Sequence, residues 1–89
     1  MPKEFALSQN YPNPFNPTTT IEFALPQDSK IKLTVFDILG REVVTLVDEN
    51  MEAGYHNVTF DAARYASGVY FYRLKAGDHI FQEKMMLIK

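Results

Sequence analysis

The sequence predicts an all-β domain, an antiparallel sandwich of about seven strands, on three observations. Apolar and polar residues alternate with a period of two in successive windows. No stretch of twelve or more residues shows a convincing 3.6-residue period. Turn signals recur every ~8–12 residues, the spacing of a β-sandwich. With 89 residues, 46% of them hydrophobic, the chain can build one core and no second domain.

Each element follows from its own residues. Phe5 to Leu7 reads as a short edge strand. Thr19 to Leu25 sets Ile21, Phe23 and Leu25 against Thr20, Glu22 and Ala24, and Pro26 stops it. Lys30 to Phe36 repeats the pattern with Ile31, Leu33 and Val35 on one face. Asp37-Ile38-Leu39-Gly40 then supplies a polar turn opener and a glycine for positive φ, leading into Glu42 to Val47. Asp48 to Ala53 is polar, ends at Gly54 and is expected to be a loop. Tyr55 to Phe60 places His56, Val58 and Phe60 on one side. Asp61 to Ser67 has room for a single helical turn, and Gly68 opens the most β-prone run, Val69 to Lys75. Ala76-Gly77-Asp78 turns the chain into a last strand, His79 to Ile88, whose Met85, Leu87 and Ile88 are expected to be buried.

Nine Lys and Arg against eleven Asp and Glu give a formal charge of −2, with signs that alternate along the chain. No block of one sign points to nucleic acid or to an anionic membrane. The absence of cysteine removes disulfides, Cys-ligated zinc, iron–sulfur clusters and a thiol nucleophile, but does not fix a compartment. Uncharged runs fall short of the ~20 residues that a spanning helix needs. Met1-Pro2-Lys3-Glu4 leads into no signal-peptide core. Residues 1–6 read as an artificial start or linker remnant, and the finish at Ile88-Lys89 as a natural carboxyl terminus.

Catalytic and metal-binding patterns are missing. His56 and His79 lie near Asp61 and Asp78, but no HxH or HExxH spacing accompanies them, and they read as strand and turn residues. Ser8, Ser29 and Ser67 lack a nucleophile-elbow context, and the four glycines are isolated, so no phosphate loop forms. No cofactor and no enzymatic activity are expected. Asn57-Val58-Thr59 is a glycosylation sequon inside a predicted strand. Tyr70, Phe71 and Tyr72, with Tyr55 and Tyr65, could stack on sugars, although a strand with aromatics on both faces more often fills a core on one side and flanks it on the other. The unusual segment is Tyr11-Pro12-Asn13-Pro14-Phe15-Asn16-Pro17. Its prolines fix φ and bias each preceding residue to extended backbone, giving a rigid loop that serves either as a pre-ordered connection or as a recognition feature.

Four motifs in order carry a resemblance: Leu7 to Thr19 with Ile21, Val35 to Glu42, Ser67 to Tyr72, and Lys84 to Lys89. Together they are similar to the type A C-terminal sorting domain of the type IX (Por) secretion system, over residues 7–89. The resemblance implies an immunoglobulin-like sandwich behind a larger exported cargo, such as a hydrolase, in Bacteroidota-like bacteria. It implies passage through the periplasm and then the outer-membrane translocon, with a sortase-like surface protease as a further partner, and final location at the cell surface or in the medium. Its motif residues fall on Tyr11 to Pro17, Asp37, Gly40, Gly68, Tyr70, Tyr72, Lys84 and Lys89. The competing reading is a non-catalytic spacer or carbohydrate-binding module of an extracellular enzyme.

Overall fold

The alternating runs become seven strands in a computed structural model that describes all 89 residues, Met1–Lys89. They are β1 Ala6–Leu7, β2 Thr18–Leu25, β3 Ser29–Asp37, β4 Glu42–Met51, β5 Gly54–Asp61, β6 Gly68–Ala76 and β7 His79–Leu87. Every strand pairing is antiparallel. A three-stranded sheet of order β1-β2-β5 faces a four-stranded sheet of order β4-β3-β6-β7.

Period-2 side-chain alternation dictates the interior. Ile21, Phe23 and Leu25 of β2 and Phe60 of β5 meet Ile31, Leu33 and Val35 of β3, Tyr70, Tyr72 and Leu74 of β6, and Met85 and Leu87 of β7 in one cluster. His56 and Val58 share the inward side of β5 with Phe60, as the pattern predicts. No buried side-chain nitrogen or oxygen lacks a hydrogen-bond partner. At one flank β1 approaches β7, where Phe5 stacks on His79 at 4.2 Å between centroids. Glu52 and Ala53 join β4 to β5 at the other flank.

Three expectations need correction. Asp48 to Met51 is not loop but the second half of β4, because Asp48 to Met51 pair with Lys32 to Ser29 and Asp48 bonds Lys30 at 3.2 Å. Polar residues there are those of an edge strand rather than of a turn. Asp61 to Ser67 holds no helical turn: Asp61 Oδ1 accepts the Ala63 N–H and Ala62 O accepts the Tyr65 N–H, so an aspartate-led turn takes its place. Ile88 is half exposed while Met85 and Leu87 are buried, since even-numbered positions of this strand point outward.

Gly68 begins β6 at φ 150°, and no atom lies within 4 Å of where a β-carbon would stand. Its requirement is therefore conformational and not one of space. Gly68→Val is expected to cost more than about 1 kcal/mol, which lowers the melting temperature by more than about 4 °C in a domain of this size. Thermal unfolding followed by circular dichroism checks this, and a parental melting temperature would show the conformation to be dispensable.

Candidate functional site

The proline-rich segment closes the flank between the two sheets instead of projecting as a loop. On one side Tyr11 and Thr20 exchange two backbone hydrogen bonds of 2.9 Å, and the Ser8 N–H donates to Glu22 O. On the other side the Phe15 N–H donates to Met86 O and the Ile88 N–H donates to Phe15 O. Asn13 Oδ1 accepts the Met86 N–H at 3.1 Å, and Gln9 Nε2 donates to Lys84 O at 2.7 Å. The carboxyl half of β7 thus has partners on both sides. The three X–Pro bonds at Pro12, Pro14 and Pro17 are cis.

One side chain of the segment enters the core: Phe15, 1% exposed, with its ring 6.1 Å from that of Phe60. Tyr11, Pro12, Asn13, Pro14 and Asn16 stay exposed, and Pro17 is half-buried with its carbonyl accepting the Ala62 N–H. Beneath them Asn10 is buried, donating through Nδ2 to Thr19 Oγ1 and to Pro12 O. The Thr19 hydroxyl also donates to Pro12 O at 2.9 Å. Sequence reasoning assigned Asn10 and Thr19 no role, because an asparagine ahead of prolines reads as a turn former. Nothing local shows that its partner lies nine residues on.

The other motif residues meet at the same end of the sandwich. Asp37 is opposite Tyr70 on β6, Tyr70 is opposite Met85 on β7, and Gly68 is opposite Leu87, which bridges to Phe15. Tyr70 and Tyr72 point inward. Their hydroxyls donate to Ala66 O and Ser8 O, each at 2.6 Å, and burial pushes the Tyr72 phenol up to about 12. They are absent from any outer stacking surface. Lys84 is exposed beside a depression of about 170 Å³ bounded by Asn13, Pro14, Met85 and Met86. Lys89 Nζ donates to Ala63 O at 2.9 Å. His56 bonds Glu52 O and stacks on Phe23, while His79 stacks between Phe5 and Phe81.

Asp37 and Gly40 form one tight turn. The Gly40 N–H donates to Asp37 O, and Gly40 sits at φ 82°, where a β-carbon is disfavoured. Asp37 Oδ1 accepts the N–H groups of Arg41 and Leu39, and Oδ2 accepts Arg41 Nε at 2.8 Å. The Arg41 backbone bond, with that guanidinium, holds the carboxyl below its usual range despite some desolvation. A lowered native pKa stabilises the fold above the unfolded value of about 3.9, and the effect disappears as pH falls through the native value. The parent should therefore melt above Asp37→Asn at pH 7, with the gap shrinking below about pH 4. A gap independent of pH would assign the turn's stability elsewhere.

The family described as "Secretion system C-terminal sorting domain" matches residues 9–89. The chain belongs to this family, that of the type IX sorting domains. Comparison with curated proteins gives no match. Among solved structures, CopC from Methylosinus trichosporium OB3b is similar at 17% identity and a TM-score of 0.56, over 94% of this chain and 91% of that one. That likeness concerns the fold alone. The sorting domain's matched stretch runs from Gln9, whose side chain donates to Lys84 O on β7, through Lys89. No helix is long and apolar enough to cross a membrane.

Proposed function

We propose that the domain is a folded address label, directing a cargo fused ahead of it through the outer membrane by type IX secretion. Membership of the sorting-domain family is the observation that carries this reading. The geometry supports it: the exposed motif residues of the proline-rich segment stand beside Lys84 at one flank, so a receptor can read them together as a shape. The outward groups of that surface are Tyr11, Pro12, Asn13, Pro14, Asn16 and Lys84, and these are the residues offered to the translocon. Phe15, Tyr70, Tyr72, Asp37, Gly40 and Gly68 hold the surface in form. A sortase-like protease acts as a later partner, and the route runs through the periplasm to the cell surface or medium. The domain contributes no catalysis.

The test fuses residues 1–89 behind a periplasm-targeted reporter in a host with type IX machinery. Reporter at the surface or in the medium is expected. Replacing Lys84 and Lys89 by Gln should leave stability within about 0.5 kcal/mol, as exposed changes do, and lower export. Retention in the periplasm, while an established sorting domain exports the same reporter, would overturn the reading in favour of a spacer.

A further inference from the structure

Charges that alternate in sign along the chain separate when the strands pair. The outward positions of β3, β6 and β7 carry Lys30, Lys32, Arg73, Lys75 and Lys84 and no acidic residue. Asp48 and Glu42 stand beside them on the edge strand β4, paired with Lys32 and Phe36. The face thus holds five of the nine cations with two of the eleven acids, a formal +3 against −5 for the rest of the chain. The outward face of β2 and β5 has the opposite character, with Glu22 and Asp61 and no Lys or Arg.

Strand pairing gains little from Lys32 and Lys75. Lys32 and Lys75 stand directly opposite each other on neighbouring strands, an arrangement that opposes pairing. Neither has an ion-pair partner; the chain's salt bridges are Lys30–Asp48 and Arg41–Asp37. Protection of a sheet edge explains lysines on β7 but not on the central strands β3 and β6. Among the cations lie Phe36 and Phe71, paired in register and half-buried, with the Arg73 guanidinium 4.6 Å above the Phe36 ring. They border a depression of about 180 Å³ whose rim also holds Asp37, ion-paired with Arg41, and Ile38 of the exposed turn Ile38-Leu39.

Aromatic rings and arginine at the centre of a cationic rim form the composition of a protein-binding patch. From these observations we infer that the outer face of β3-β6-β7 docks on an acidic protein surface of the export apparatus. The inference rests on the sorting reading for where that partner resides, and the surface meets the motif flank only at Lys84. Nine residues by three to four strands give a face of roughly 30 by 14 Å at ordinary strand spacings. About 400 Å² is half of a standard interface side, which fits a partner that must later let go. A bare polyanion would engage the lysines while leaving the phenylalanines and the apolar turn uncovered.

The test compares the 89-residue chain with Lys32→Gln/Lys75→Gln, which relieves the like-charge pair without setting a carboxylate opposite Asp48 and so should melt within a few degrees of the parent. The probes are outer membranes from a type IX-competent bacterium, the same membranes after protease digestion, membranes from a strain lacking the translocon, and protein-free vesicles of phosphatidylethanolamine and phosphatidylglycerol at 3:1. At low salt the parent should bind competent membranes at least tenfold better than the variant and better than it binds the other three probes; Phe71→Ala should weaken it likewise. Equal binding by variant and parent overturns the inference. So does binding that survives protease or is matched by vesicles, which would identify a lipid or polyanion, and so does self-association lost in the variant, which would identify a second copy. Export of the reporter separates the two readings. A parent fusion retained in the periplasm counts against sorting while membrane binding still judges the face, whereas a variant exported at the parent's rate counts against the face alone.

Discussion

Phe15→Ala is expected to remove about 3–5 kcal/mol of stability, the usual loss when a buried phenylalanine is truncated. The total stability of a domain is about 5–15 kcal/mol, and small ones lie low in that range, so much of the variant should be unfolded at 37 °C. Phe15 is the one side chain of the proline-rich segment inside the core, and its backbone makes both backbone-to-backbone hydrogen bonds that tie the segment to Met86 and Ile88. Shortening it leaves a cavity beside Phe60, Met85 and Leu87 and weakens the seat on which Asn13 and Pro14 are displayed. Denaturant unfolding measures the loss; a change under 1 kcal/mol would mean the segment is held by its backbone alone.

Deletion of His79 to Lys89 should have a still larger effect, abolishing cooperative unfolding. It removes Met85 and Leu87 from the cluster, each contributing about 1.5–3 kcal/mol by burial, and exposes the whole outer edge of β6. It also strips the proline-rich segment of its bonds to Lys84, Met86 and Ile88. Replacing Met86 alone with Ala is the control: it lies outward, and its backbone does the bonding, so the fold should persist. A sharp thermal transition in the deleted chain would refute the role given to β7.

The faces of the strands were legible in the sequence because alternation at Ile21 to Leu25, Ile31 to Val35 and Tyr70 to Leu74 directly encodes which side is dry. The same rule, applied strictly to β7, places Ile88 outside with Met86; hydrophobicity alone suggests the opposite. Family motifs marked Tyr11 to Pro17, yet their meeting with Lys84 to Lys89 depends on contacts more than seventy residues apart, which no local pattern contains. The cationic face was hidden for a related reason. Lys30, Lys32, Arg73 and Lys75 are interleaved with apolar residues along the chain and gather only when β3 and β6 pair.

The amino-terminal segment also determines how the domain resists being pulled. Its start lies beside His79 and its end beside Leu87, so it runs in the same direction as β7 and leaves Phe5 and Ile88 at opposite ends of the sandwich. Tension on a tethered cargo, with the domain held at its far end, would act along the strands. Bonds from Ser8 and Tyr11 to β2 and from Phe15 to β7 would be loaded together in shear, instead of parting one by one as in a peeled zipper. The Phe15 ring would have to leave the core before either row could slide. Because forced unfolding is governed by the rate of crossing that barrier, a domain of 89 residues loaded in this way would keep its shape for as long as that crossing is slow.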